Sequence, residues 1–373
     1  MSQADTERKQ IELDQLIKIA VSKGASDLHL KVGALPHARI QGVLTPLAEF
    51  ARLEKADTVR MASGIMNNRQ KQSFREKAEL DLSYQIAAVG RFRVNVFHQR
   101  EATSLVLRVI PSRIQTMAEL TLPPVLEKIC TESRGMVLVT GTTGSGKSTT
   151  LAAMMNWMND NRALHILTIE DPIEFLHRDK RSFITQREIS VDTDDFATAL
   201  RASLRQDPDA IMVGEMRDLV TVETALHAAE TGHLVLSTLH TLDATETINR
   251  IIGLFPTHQQ GQIRLQLAAV LKAVISMRLM RSEKGRLPAI EVLINTEFIR
   301  NCIIVPERTK EISTAIAAGS SQYGMQTFDQ SILQHYNGGR ITYDEALYYA
   351  TNPDELKMRI KGIVSSAEAI DFA

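Results

Sequence analysis

Eight consecutive residues narrow the fold more than the rest of the chain together. Gly141, Thr142, Thr143, Gly144, Ser145, Gly146, Lys147 and Ser148 make a complete G-x-x-x-x-G-K-[ST] sequence. Such a loop belongs between a strand and a helix, and its flanks read that way. Gly135-Met-Val-Leu-Val-Thr140 is a short apolar run rich in β-branched residues, and the stretch from Thr149 to Asp160 contains neither Gly nor Pro. The glycines let successive N–H groups turn inward on phosphate oxygens, and the helix N-terminus adds positive potential. Lys147 reaches the β- and γ-phosphates, the Ser148 hydroxyl ligates Mg²⁺, and Thr149 continues the phosphate-binding set into the helix. The expected ligand is a nucleoside triphosphate with Mg²⁺.

A chain of 373 residues accommodates two or three domains of about 150 residues each. Its 43 basic and 44 acidic residues nearly cancel, so no global positive field favours nucleic acid as a direct partner. Cys130 and Cys302 each lie in an apolar segment and are expected as buried free thiols of a reducing cytoplasm. The first ten residues lack the apolar core of a signal peptide, and the apolar stretch from Leu265 to Leu279 is broken by Lys272 and Arg278. Any membrane association is expected to run through partners.

From Ile11 to Lys23 apolar residues recur at mostly helical spacing, ending at Gly24. Alternating segments follow at Ser26 to Val32, Ala38 to Val43, Asp81 to Ile86, Arg91 to Phe97 and Ser104 to Ile110, with a helical patch between Leu53 and Lys77. Strands in runs imply an antiparallel α+β domain over residues 1–112. Prolines bound the polar segment from Pro111 to Pro124, so residues 113–124 are expected as a linker. Strand and helix then alternate: strands at Met136–Thr140, His165–Ile169, Ala210–Val213 and Leu234–Thr238, helices after Lys147, near Phe196–Arg205 and at Val220–Glu230. That pattern predicts a parallel sheet with helices on both faces and ligands beyond the carboxyl ends of its strands. From Leu254 onward the chain reads as mainly helical, which makes residues 125–364 one domain and leaves 365–373 as a polar tail expected to be disordered.

Hydrolysis also needs a metal partner and a group that orients water. Ala210-Ile-Met-Val-Gly-Glu215 is an apolar strand ending in Gly and an acid, which places Glu215 to reach Mg²⁺. His165-Ile-Leu-Thr-Ile-Glu-Asp-Pro-Ile-Glu174 ends in three acids, of which one can polarise the attacking water; Glu170 and Asp171 equally fit a turn-capping role before Pro172. A third strand carries histidines at both ends, His233 and His240, and its carboxyl end brings His240 near the phosphate loop.

Together these segments resemble the secretion ATPases, specifically the PilT-type motors that retract type IV pili. The phosphate loop, Ile169-Glu-Asp-Pro-Ile-Glu174, Val213-Gly-Glu-Met-Arg217 and the two-histidine stretch match that family in order, as do Ala25-Ser-Asp-Leu-His-Leu30 and Gly324-Met-Gln-Thr-Phe-Asp-Gln330. The resemblance implies an α/β fold: a RecA-like P-loop ATPase core with a helical C-terminal part, preceded by a smaller antiparallel, PAS-like α+β domain. It implies ATP as substrate and a homo-hexamer docked on an inner-membrane pilus platform protein at the cytoplasmic face of the membrane. It makes Glu174 the catalytic base, Glu215 the Walker B acid, His233 and His240 the histidine box, and Arg93 and Arg108 the guanidinium groups brought to the phosphates from the amino-terminal domain. One segment departs. Where the retraction branch has Ala-Ile-Arg-Asn-Leu-Ile-Arg-Glu, this chain has Phe298-Ile-Arg-Asn-Cys-Ile-Ile-Val305, without the second arginine and the glutamate. An accessory or paralogous motor is therefore the second expectation, with a nucleic-acid translocase or a nucleotide-gated scaffold behind it.

Overall fold

The computed structural model describes residues 11–110, 113–282 and 285–362; Pro111 and the expected tail 365–373 lie outside them. The chain divides into two compact units, Met1–Arg113 with Glu174–Leu176, and Ile114–Ile173 with His177–Ala373.

In the first unit, α1 (Leu13–Ser22) buries Leu13, Leu16, Ile17 and Ala20, which one helical face brings together. Gly24, in the left-handed region at φ 72°, turns the chain into β1 (Ala25–Leu30). The alternation from Ala38 to Val43, expected as one strand, is instead a hairpin of β2 (His37–Ile40) and β3 (Val43–Pro46). Gln41 and Gly42 both take positive φ there, the geometry of a tight two-residue turn. Helices α2 (Lys55–Ile65) and α3 (Asn68–Lys77) precede the meander β4 (Glu79–Ile86), β5 (Gly90–Gln99) and β6 (Ala102–Ile110). The sheet order is β3-β2-β1-β6-β5-β4, antiparallel throughout. Strand alternation turns Leu28, Phe92, Val94 and Leu107 inward with Leu16, Ile17, Met61 and Ala62 of the helices. One row across the sheet places Arg93, Arg108, Asp27 and Arg39 in consecutive register.

The second unit begins with α4 (Val125–Ile129), β7 (Gly135–Thr140), α5 (Lys147–Asn161), β8 (His165–Glu170) and β9 (Phe183–Glu188). It continues with α6 (Phe196–Ser203), β10 (Ala210–Val213), α7 (Leu219–Glu230), β11 (Leu234–Leu239), α8 (Ala244–Gly253) and α9 (Gln260–Val270). A hairpin, β12 (Leu271–Ser282) and β13 (Gly285–Ile294), leads to α10 (Glu297–Ile304), a 3-10 turn at Pro306–Glu311, α11 (Ile312–Ala318) and α12 (Ser320–Tyr323). The last described elements are α13 (Phe328–Asn337), α14 (Tyr343–Tyr349) and α15 (Pro353–Ile360). Asp195, Asp218 and Asp243 cap α6, α7 and α8, each carboxylate accepting a backbone N–H three residues on.

These strands form one sheet in the order β13-β12-β7-β11-β10-β8-β9, parallel except for the β12–β13 hairpin. Two apolar cores flank it. One joins α4 and α5 through Leu126, Leu151, Met154 and Met158, the other joins α6 to α11 through residues such as Leu200, Val222, Ile248 and Leu267. Met117 and Leu122, inside the expected linker, are buried in the first of these cores, so that segment packs as part of the unit.

The expectation of a mainly helical chain beyond Leu254 is corrected by β12 and β13. β12 lies between β7 and β13 and is covered on both faces, so its sequence is mostly apolar without alternation, and such a run has no period to distinguish strand from helix. The charges at Lys272 and Arg278 find partners. Lys272 meets Glu132 at 2.9 Å, and the Arg278 guanidinium lies 3.8 Å from the ring centre of Phe328. No helix among the described residues is long and apolar enough to cross a membrane.

Candidate functional site

The loop 141–148 leaves β7 and enters α5 through glycines whose backbone no other residue takes easily: φ is 141° at Gly141, 80° at Gly144 and 99° at Gly146. A Cβ on Gly141 would sit 2.5 Å from both the Met277 carbonyl oxygen and the Ser145 hydroxyl. Thr142, Thr143 and Gly144 are exposed, while Ser148 and Thr149 are half-buried in the first turn of α5. Lys147 is buried and its Nζ donates to the carbonyls of Gly141 at 2.8 Å and Thr142 at 2.9 Å. Ser145 Oγ is buried without a hydrogen-bond partner among the described residues. A cradle too tight for a Cβ, lined by an unsatisfied hydroxyl and a buried ammonium, fits a phosphate group.

Beyond the carboxyl ends of β10 and β11 lie two further groups expected from the sequence. Glu215 Oε2 is 2.7 Å from Arg217 Nη2 and 3.6 Å from His240 Nε2, the latter too long for a hydrogen bond. The strand ends that carry them are tied together. Ser237 Oγ donates to the Val213 carbonyl at 2.7 Å, and Thr238 Oγ1 donates to that of Gly214 at 2.6 Å. Burial pushes the His240 ring below the ordinary histidine pKa, and the Lys147 charge pushes it the same way, with Glu215 opposing and Arg217 adding to the drop. His240 is thus biased towards its neutral form, within the field of the loop lysine. The structure brings the loop, Glu215 and His240 together.

The other expected residues are placed differently. His233 precedes β11, about 20 Å from His240 along six residues of strand. Its Nδ1 lies 3.0 Å from the Ala228 carbonyl, so within this chain it closes the turn between α7 and β11. Glu170, buried at the end of β8, accepts from Thr168 Oγ1 at 2.6 Å and Gln186 Nε2 at 3.0 Å, a network that holds the β8–β9 strand ends. Glu174 is exposed in the irregular segment between β8 and β9. Arg93 and Arg108 lie directly opposite each other on β5 and β6 of the first unit. Arg217 was not singled out from the sequence as a partner of Glu215; its place two residues downstream of the acid was the available signal.

The residues that could hold Mg²⁺ are Ser148, through its hydroxyl, and Glu215, through its carboxylate, hard oxygens of the kind that ion takes alongside substrate phosphates and water. Among the described residues no group of three or more His, Cys, Asp or Glu is placed to hold a metal by itself. Such a cage is not what a phosphate-loop site requires.

Behind the loop runs a buried polar layer. Thr140 Oγ1 donates to Ser276 Oγ at 3.0 Å, Ser276 pairs with Glu291 across the hairpin, and Glu291 Oε1 accepts from the Ala244 N–H of α8 at 2.9 Å. Burial pushes the Glu291 carboxyl up to about 7 from 4.5; the Ala244 N–H and Arg278 pull it down, whereas Asp243 and Asp329 push it up. A carboxyl raised in this way stabilises the fold fully below its unfolded pKa and loses that contribution as pH rises towards the folded value. Between pH 5 and pH 8 the parent protein should therefore lose roughly 2 kcal/mol of stability that Glu291→Gln retains. Urea unfolding of both proteins at the two pH values checks this, and identical pH slopes would refute it.

Fold and loop define a P-loop nucleotide-binding protein with a RecA-like core. The chain belongs to the Type II/IV secretion system protein family, whose model matches residues 2–366. It is 43% identical over 345 residues to the type IV pilus retractation ATPase PilT of Pseudomonas aeruginosa, covering 92% of this chain and 99% of that one. The type IV pilus ATPase PilU of the same organism is 40% identical over 353 residues, 94% of this chain and 92% of that one. Among solved structures, the pilus retraction motor PilT with bound ADP superposes with a TM-score of 0.86 at 44% identity, over 93% of this chain and 99% of that one. The ATPase DotB of Legionella pneumophila superposes with a TM-score of 0.80 at 26% identity, over 95% and 98% of the two chains.

Proposed function

We propose that the protein is an ATP-hydrolysing motor that powers retraction of type IV pili. The observation that carries this reading is the assembled trio of phosphate loop, Glu215 and His240, in a chain similar over nearly its whole length to the PilT motor. ATP is held through its phosphates by the N–H groups of residues 141–149 and by Lys147. When bound, Mg²⁺ neutralises charge on the phosphate oxygens, and Ser148 and Glu215 hold it. Glu174 takes the proton of the attacking water. Neutral His240 donates to a γ-phosphate oxygen and responds to its loss, and His233 belongs to the same histidine box. Arg93 and Arg108 supply guanidinium groups to the phosphates, a contribution worth about 10³–10⁵ in rate in related chemistry. The working form is a homo-hexamer in the cytoplasm, docked through an inner-membrane platform protein.

Glu174→Gln should bind nucleotide as the parent does but hydrolyse it about 10²-fold or more slowly. Phosphate release and fluorescent-nucleotide titration on the purified protein separate the two effects, and turnover surviving in that variant removes Glu174 from the base role. For the biological assignment, deletion of the gene should leave surface pili accumulating.

A second reading, an accessory motor beside a retraction motor, is favoured by α10. The helix that departs from the retraction pattern leaves Phe298 47% exposed, while Arg300 is occupied by Glu297 at 2.8 Å. Pili that still retract after deletion would select this reading.

A further inference from the structure

We propose that Asp27 is a positioning residue for Arg108: it holds the guanidinium by Nε, leaving Nη1 and Nη2 as a two-pronged donor for a phosphate group. The inference rests on the phosphate role given to Arg108 above and assigns a further residue to it.

Asp27 and Arg108 are direct neighbours in the β1–β6 register, although they are far apart in sequence. Arg108 Nε donates to Asp27 Oδ1 at 2.9 Å, and Ser26 Oγ donates to Asp27 Oδ2 at 2.8 Å, so each carboxylate oxygen has its own donor. The two ends of the ion pair differ sharply in exposure: the Asp27 side chain is 10% accessible, the Arg108 side chain 71%. The anchored side is therefore fixed in the sheet while the rest of the guanidinium faces solvent. A planar guanidinium can serve two acceptors in this way, one through its Nε edge and one through the fork between its terminal nitrogens.

Stability does not account for the arrangement. Burying a carboxylate in a strand is unfavourable, and an ion pair whose cation is mostly in water returns little. Burial alone would push the Asp27 carboxyl up; the hydrogen bonds from Arg108 and Ser26, with the Arg108 charge, outweigh it and leave the group below the usual carboxylate range. Arg93 faces Arg108 from the opposite side, on β5, and like charges directly across a strand pair repel. Asp27 offsets that repulsion and fixes Arg108 from the β1 side, away from Arg93. Arg39, the next residue in the row, is engaged with its own hairpin through the Gly42 carbonyl at 2.9 Å, so it does not compete for Asp27 in this arrangement.

The test is a double-mutant cycle on the purified full chain, reading kcat and KM for Mg-ATP. Asp27→Asn, which keeps the shape and removes the charge, should lower kcat about tenfold with KM within twofold, and Arg108→Ala should lower kcat more. The double variant should be no slower than Arg108→Ala alone. Arg108→Lys, an exposed change with little risk to folding, should be as impaired as Arg108→Ala, because one ammonium cannot serve both the carboxylate and the fork. A slow Arg108→Ala beside an unimpaired Asp27→Asn overturns the positioning role alone, as does a further tenfold loss in the double variant or wild-type turnover in Arg108→Lys. Wild-type turnover in Arg108→Ala overturns the phosphate role of Arg108 and this inference with it.

Discussion

A Lys147→Ala protein is expected to hydrolyse ATP about 10²–10⁴-fold more slowly than its parent. The ammonium is one of the few buried charges of the second unit and donates two hydrogen bonds to loop carbonyls, at 2.8 and 2.9 Å. Redirected to the β- and γ-phosphates they become charge-assisted on both sides, worth about 1.5–3 kcal/mol each. Two such bonds at about 1.4 kcal/mol per decade give the stated range. Phosphate release at saturating ATP measures it, with circular dichroism confirming the fold. A rate within a few-fold of the parent would show that the loop lysine does not support turnover.

Gly141→Ala should damage both fold and site. The residue sits at φ 141°, outside the region an L side chain takes easily, and its new methyl would meet the Met277 carbonyl and the Ser145 hydroxyl at 2.5 Å. Backbone strain of about 1–3 kcal/mol and overpacking of about 1–3 kcal/mol add to roughly 2–6 kcal/mol. Gly144→Ala is the natural comparison, because φ is 80° but nothing lies within 4 Å of the added carbon. It should cost only the strain, about 1 kcal/mol. Urea melts and nucleotide titrations of the two variants side by side test this. Equal losses would mean that the crowding at Gly141 relaxes without penalty.

Much of this was readable in the linear chain, and the exceptions have physical causes. β7 and β10 announce themselves because residues such as Val137 and Ile211 belong to short apolar runs that end at Gly, and β11 because the run around Val235 is short, apolar and bounded by His233 and His240. β12 hides because burial on both faces erases its period, and β9 because Phe183-Ile-Thr-Gln-Arg-Glu188, at the sheet edge, is only partly covered. At the site, spacing identified the loop and the acid of β10 locally. Which other groups meet them depends on pairings that no local pattern encodes. His240 reaches Glu215 because β11 lies beside β10, and His233 stays at the far end of the same strand. Asp27 reaches Arg108 only because β1 pairs with β6.

The position of β7 also sets when the nucleotide loop can acquire its frame during synthesis. Both strands that pair with β7 come later in the chain, β11 at residues 234–239 and β12 from residue 271 onward. At about 5–20 residues per second, the ribosome takes on the order of ten seconds to supply them. Until β11 emerges the apolar run Met136 to Val139 has neither neighbour, and until β12 follows one of its edges stays open to pairing with other chains. A nascent chain stalled before β12 would carry every residue of the loop yet lack the strand whose Met277 carbonyl walls Gly141. Arrested chains of increasing length should gain nucleotide protection against proteolysis only after β12 has left the ribosome.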